Sequence, residues 1–263
     1  MGPIWLAILL VAADGGGPSL SGSVAASGGY DAALLVAPGV GAAGSAMASA
    51  TATLGASFEP SPIVMLYAGA ALDGSAFPSL PELGRTAAGA EASCLVDVAG
   101  PLSVVAGVSG GWSWYVDPAR SGGSAAVRGS LVLRPAAWLA ARAGYAHAWR
   151  TAADPIYGTS LDRLLAEVEF RPWRSTWLSL TAFGERGDAT FYEEVAPPST
   201  GADAATFVPY RAPATTIGVL VGVEQGIGGG FSLEAAASLR RTDAPGGPTT
   251  GPAFTLAIVW RSD

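Results

Sequence analysis

Charged side chains are scarce in this sequence, so where they fall is informative. Arg128, Arg142, Arg163, Glu167 and Glu169 gather in the middle of the chain, with Glu91 ahead of them and Glu234 behind. Guanidinium and carboxylate groups held close together have two uses. They can line an aqueous passage and select ions by sign, or they can pair across neighbouring strands and neutralise an interior. Both readings stay open, and both require that the groups share one face of the structure. The single histidine, His147, lies in Tyr145-Ala146-His147-Ala148-Trp149, where its two aromatic neighbours give it an interfacial character. Cys94 is the one cysteine, which excludes a disulfide framework, a thiolate zinc site and a CxxC redox pair. No glycine-rich phosphate loop, metal-ligand cluster or isolated carboxylate pair stands out, so neither cofactor nor metal is expected.

The elements that must position these groups follow from composition. Half of the 263 residues are hydrophobic but only 13% are charged, against about 25% charged in an ordinary soluble domain. The net charge of −7 argues against nucleic acid as a partner. Every one of the 14 basic residues is arginine; lysine and asparagine are absent, and no mechanism is read into that. With 36 glycines and 19 prolines, long regular helices are disfavoured. The longest apolar run, residues 4–13, has ten residues, where a membrane-spanning helix needs about twenty. Ten suits the core of a secretory leader, so residues 1–13 are expected to be a signal peptide ending at Val11-Ala12-Ala13. Residues 14–19 then form a linker. What remains, 20–263, is hydrophobic on average without a spanning helix. The other structure that satisfies every backbone polar group inside a bilayer is a closed β-barrel.

Alternation supports that choice. In 45–58, Ala46, Ala48, Ala50, Ala52, Leu54, Ala56 and Phe58 oppose Ser45, Met47, Ser49, Thr51, Thr53, Gly55 and Ser57. In 87–98, Ala88 through Val98 oppose a set containing Glu91, Ser93 and Asp97; in 231–240, Phe231, Leu233 and Leu239 oppose Ser232, Glu234 and Arg240. Segmentation on alternation and Gly/Pro punctuation predicts about twelve strands: 20–35, 44–58, 62–72, 86–98, 102–116, 124–134, 137–149, 159–170, 175–187, 212–225, 230–241 and 252–261. Short connections (59–61, 99–101, 135–136, 171–174, 226–229) alternate with longer ones (36–43, 73–85, 117–123, 150–158, 188–211, 242–251), the pattern of a transmembrane barrel with unequal rims. Phe58, Phe170 and Trp260 fall near the short-turn rim, and Trp112, Trp114, Tyr145 and Trp149 near the other, as two aromatic girdles would. Trp177 does not fit, because its parity places it with Ser179 and Thr181 on the polar face.

Taken together, these features resemble a bacterial outer-membrane β-barrel protein over residues 19–263. Phe254-Thr255-Leu256-Ala257-Ile258-Val259-Trp260 resembles the last-strand signal read by the barrel-assembly machinery, although Arg261-Ser262-Asp263 follow the aromatic. Gly28-Gly29-Tyr30-Asp31 is similar to a first-strand motif in barrels attached to helical-repeat outer-membrane proteins, where Ser-Asn commonly follows; here Ala32-Ala33 stand. The resemblance implies a location in a Gram-negative outer membrane, contact with outer-membrane lipid and lipopolysaccharide, and delivery by the assembly machinery. Twelve strands lie between the eight of a side-chain-filled barrel and the sixteen of an open channel. A narrow pore for small solutes is the leading functional expectation. The alternatives are a non-conducting structural or export-accessory barrel, or a soluble secreted β-sandwich. Enzymatic activity is not expected: outer-membrane phospholipases use a His-x-Ser pair with an Asn on the outer wall, whereas Trp149 stands two residues after His147 and the chain has no Asn.

Two finer expectations concern register and loops. Turns centred near Pro135 and Asp154-Pro155 would set Arg128 beside Arg142, and Arg142 beside Glu167. The 188–211 loop, with Asp188, Phe191, Tyr192, Glu193, Glu194, Asp203, Phe207 and Tyr210, is acidic and aromatic. Folding inward as a constriction, contacting a partner and lying solvated on the surface are its three possible states.

Overall fold

A computed structural model describes residues 18–37, 41–195, 206–245 and 247–262. The expected leader over 1–13 lies outside them. Twelve strands follow in chain order: β1 (Ser19–Ala37), β2 (Gly41–Ser61), β3 (Val64–Ala76), β4 (Arg85–Ala99), β5 (Leu102–Tyr115), β6 (Gly122–Ala136), β7 (Leu139–Arg150), β8 (Thr159–Trp173), β9 (Thr176–Val195), β10 (Thr206–Gly228), β11 (Phe231–Ala244) and β12 (Gly247–Ser262). Each pairs antiparallel with its neighbours in sequence, and β12 returns to β1, so the sheet closes and leaves no edge. Short 3₁₀ turns at Pro81–Leu83, Pro118–Arg120 and Pro155–Tyr157 sit in the longer connections. No helix among the described residues is long and apolar enough to cross a membrane; the crossing elements are strands.

The two faces of this wall differ as the alternation demands. Leu54, Leu164 and Leu256 point outward and are each more than 60% exposed, and Ala46, Ala48 and Ala50 share that face on β2. An exterior of exposed leucine and valine is untenable in water and natural in acyl chains. The inner face is polar. On β1 and β2, directly paired hydroxyls bond across the strands: Ser19 to Ser57 at 2.6 Å, Ser23 to Thr53 at 2.7 Å and Ser27 to Ser49 at 2.6 Å. Among the described residues a small apolar cluster, Leu95, Val105 and Val132 with Met65 against it, is packed on the inside.

The short-turn rim departs from the expected segmentation in a regular way. Its five hairpins turn at residues 62–63, 100–101, 137–138, 174–175 and 229–230, and each carries a register shift just before the turn on the incoming strand. A bulge spends one extra residue without a pairing partner and sharpens the local twist. At the β10–β11 turn the device is glycine: Gly228, Gly229 and Gly230 all have positive φ, a conformation other L-residues adopt at a cost. Because of the β6–β7 bulge, the turn falls at Ala137-Trp138 rather than at Pro135, and Arg128 pairs with Ala146 while Arg142 pairs with Val132. The expected Arg128–Arg142 adjacency is therefore wrong. The Arg142–Glu167 adjacency is present.

A second correction concerns 188–211. Most of what reads as a loop is strand: β9 runs to Val195 and β10 starts at Thr206, with continuous pairing from Thr206–Val195 inward. Thr190-Phe191-Tyr192 and Phe207-Val208-Pro209-Tyr210 are rich in β-formers, and that propensity outweighs the acidic residues that suggested a loop.

Candidate functional site

The inner wall holds most of the charge. Arg128 (β6) donates to Glu91 (β4) at 2.8 Å, reaching across β5. Arg142 lies 3.7 Å from Glu167, its register partner, and Arg163 bonds Glu185, also a register partner. Near the short-turn rim Arg261 bonds Glu224 and Glu234, the latter at 2.6 Å. At the opposite end Arg240 (β11) holds Asp31 (β1) at 2.7 Å across β12, and Arg85 holds Asp73 at 2.9 Å. Glu169 faces the same side on β8 and has no ion pair among the described residues. Trp177, the misfit of the sequence pattern, is inward too, with Arg171 stacked 4.9 Å from its ring.

These charges are paired yet not sealed. Arg128 and Arg142 each keep 25% of their side-chain surface exposed, Glu224 and Glu234 32%, and Arg163 40%. A side-chain-filled barrel would bury such groups. Here the wall leaves them partly open to solvent, which keeps ion pairs inexpensive. Arg128 lies over Gly107, its register partner on β5; a Cβ there would meet the guanidinium Nε at 3.0 Å.

The mouth opposite the short turns is partly bridged. The extended β9–β10 hairpin leans over it: β9 touches β1, although β10, β11 and β12 separate the two in the ring. Phe191 on this hairpin is buried and packs on Tyr210. Tyr192 accepts a hydrogen bond from Arg120, at the end of the Pro118–Arg120 turn, and Thr190 donates to the Ile156 carbonyl at 3.0 Å. Burial alone would lower the Arg120 pKa, but Tyr192, Tyr157 and Asp117 outweigh it and hold the guanidinium above its ordinary value. The Arg120 cation also stacks on Tyr157 at 4.4 Å. The described part of the 188–211 segment is thus tied to the Pro118–Arg120 and Pro155–Tyr157 turns.

The outer wall carries the girdle residues. Phe58, Phe170 and Trp260 at the short-turn end, and Trp112, Trp114, Tyr145 and Trp149 at the other, are all outward and 39–52% exposed. Trp138, Trp173 and Phe231 add to the first group, and Tyr30, stacked on Phe254, to the second. Among the aromatics of the upper girdle lies a polar group that the sequence pattern did not reveal. His147 Nδ1 is 2.7 Å from Asp162 Oδ1, and Tyr145 donates to the same oxygen at 2.5 Å. Ser160 Oγ is 3.3 Å from His147 Nε2. Along β7 itself Trp149 stands two residues after His147, and the chain has no asparagine. Both partners come instead from β8, where His147 pairs with Asp162 and Trp149 with Ser160. Outward parity was the available signal, since an Asp at 162 shares its face with Leu164 and Val168.

No known sequence family matches the chain, and no curated protein does. Solved structures do. The COG4313 outer membrane channel from Pseudomonas putida F1 is similar over 92% of this chain and 95% of its own, at 10% identity and a TM-score of 0.64. The NanC porin is similar over 90% and 98%, at 7% identity and a TM-score of 0.51. The TodX monoaromatic hydrocarbon channel, as its deltaS2 mutant, is similar over 93% and 89%, at 8% identity and a TM-score of 0.50. At these identities the shared property is architecture: the chain has the fold of outer-membrane β-barrels.

Proposed function

We propose that this barrel sits in a bacterial outer membrane and serves as a narrow passive pore for small solutes. One observation carries the reading: the inner-wall ion pairs remain partly open to solvent, from 10% for Asp31 to 40% for Arg163, as in a wet lumen rather than a packed one. The channels and porin that share the architecture support it. Among the named inner-wall groups carboxylates slightly outnumber arginines, Arg261 being shared by Glu224 and Glu234 and Glu169 lacking an ion pair, which favours a weak preference for cations. Planar-bilayer recording on the purified barrel tests the proposal. Discrete conductance steps are expected, and their absence under every salt and voltage tried would remove it.

The β9–β10 hairpin favours a second reading, in which the mouth is closed and the barrel is a non-conducting scaffold or export accessory. A variant with residues 190–210 replaced by a short turn separates the two. If wild type is silent and the trimmed barrel conducts, the hairpin is a closure on a real pore. If both are silent, the scaffold reading stands.

A further inference from the structure

We infer that Ser160, His147 and Asp162 form a hydrolytic relay on the lipid-facing wall, acting on the carboxylic esters of membrane acyl lipids. The hydrogen-bond inventory assigns the roles. A carboxylate only accepts, so the 2.7 Å contact with Asp162 places the imidazole proton on Nδ1. The lone pair of Nε2 is thereby turned toward Ser160 Oγ at 3.3 Å, the arrangement in which histidine removes the hydroxyl proton. That separation is a loose one, as such contacts commonly are before substrate binds. Tyr145 donates to Asp162 and fixes the carboxylate, while the Trp149 ring, edge-on at 4.2 Å from the imidazole, covers its side. Asp162 and Tyr145 are positioning residues; Ser160 and His147 are the catalytic pair.

Location supplies the substrate class. Ser160 is the second residue of β8, just past the Pro155–Tyr157 turn, and Tyr145 and Trp149 stand beside it in the upper girdle. Aromatic belts mark the depth where headgroup meets hydrocarbon, which is where the ester carbonyl of an acyl glycerolipid lies. Arg186, outward on β9 and the register partner of Asp162, is near enough for its charge to act on that carboxylate. The same cation is available to a lipid phosphate or to the oxyanion that forms at the ester carbon.

The chemistry balances with ester and water alone. Ser160 Oγ bonds to the carbonyl carbon as its proton passes to His147 Nε2. The bond to the alcohol oxygen then breaks, and that oxygen takes the proton from Nε2. Water, deprotonated by Nε2, attacks the acyl-serine; the fatty acid departs and Ser160 recovers its hydrogen.

The test uses the full barrel refolded in detergent, with retention of the barrel checked by heat-modifiability on a gel. A fluorescent fluorophosphonate is expected to label wild type and S130A, whose serine is on the inner face of β6, and to leave S160A unlabelled. Turnover of a diacyl phospholipid in mixed micelles is expected to fall at least about 100-fold in S160A and H147Q. D162A is expected to slow fluorophosphonate labelling of Ser160 at least about 100-fold with the barrel retained, and D162E to restore part of the labelling rate. An unlabelled wild type, or equal labelling of S160A, overturns the relay. Hydrolysis confined to soluble p-nitrophenyl esters overturns the lipid assignment, and a D162A variant labelled as fast as wild type overturns the role given to Asp162.

Discussion

Arginine placed along one strand measures which face of the wall meets lipid. Ile217, Val219, Val221 and Val223 project outward from β10, between 40% and 55% exposed. They are spaced two residues apart, so at about 3.4 Å per residue and a tilt of about 40° successive positions differ in depth by roughly 5 Å. The four together sample about 15 Å of an apolar band about 25 Å tall. Were that face bathed in water, replacing a half-exposed valine with arginine would change stability by no more than about 0.5 kcal/mol. Against acyl chains the cost at the bilayer midplane is about 2–4 kcal/mol, declining to about 0–1 kcal/mol near an interface. That corresponds to about 30- to 700-fold in the folding equilibrium. Arginine substitutions taken singly at these four sites should give a peaked profile, while S238R, inward on β11 and level with Leu220, should cost under about 1 kcal/mol. The assay is reversible denaturant unfolding in phospholipid vesicles, followed by tryptophan fluorescence. A flat outward profile within about 0.5 kcal/mol would mean that the exterior is not in lipid, and the barrel's placement in a membrane would fall.

Three further outcomes are expected. R128A leaves Glu91 charged without its 2.8 Å partner and should shift the reversal potential in a salt gradient toward cations, whereas E91Q should shift it toward anions; identical reversal potentials in both would show that this pair does not face the conduction path. Y192F and R120A remove the hydrogen bond that ties the β9–β10 hairpin to the Pro118–Arg120 turn, and both should raise conductance or open-state noise; unchanged traces would mean that the hairpin does not limit the mouth. G230A forces an alanine into φ +77° with its Cβ against the Arg261 carbonyl oxygen, and should destabilise by at least about 1–2 kcal/mol in the same vesicle assay; a neutral effect would show that the turn relaxes freely.

How much of this was readable in advance depended on the length scale of each feature. The faces were readable because a period of two persists over a whole strand, so Ala46 through Phe58 needed no partner to be assigned. The strand number was readable because each rim has its own punctuation. Register was not, because one unpaired residue before each short turn leaves no compositional mark, and it displaced Arg128 from Arg142. The strand extension through Thr190-Phe191-Tyr192 was hidden by its acidic neighbours, since carboxylates near the mouth read as loop. Ser160 and Asp162 were missed for a different reason: a relay split over two strands has no spacing in sequence until the β7–β8 register is known.

The inner wall suggests why glycine appears where it does on strands that otherwise favour larger residues. Among the described residues three arginines bind carboxylates two strands away: Arg128 on β6 reaches Glu91 on β4, Arg240 on β11 reaches Asp31 on β1, and Arg261 on β12 reaches Glu224 on β10. For the two away from the short-turn rim the register partner on the intervening strand is glycine, Gly107 beneath Arg128 and Gly251 opposite Arg240. A side chain there would stand in the path of the guanidinium, so the glycine opens a route that ties strands lacking any ladder bond to each other. Gly107 and Gly110 lie on the same strand and test this directly. At Gly107 a Cβ would come within 3.0 Å of Arg128 Nε and 3.1 Å of the Ala92 carbonyl oxygen; at Gly110, on the outward face, the nearest atom is the Ser124 carbonyl oxygen at 3.4 Å. Removing a glycine reduces the freedom of the unfolded chain and stabilises by about 0.4–1 kcal/mol where the site has room. G110A should therefore be neutral or stabilising in vesicles, and G107A should destabilise and move the reversal potential in the direction of R128A. Equal stability of the two variants, with no change in selectivity, would mean that Arg128 does not depend on the gap beneath it.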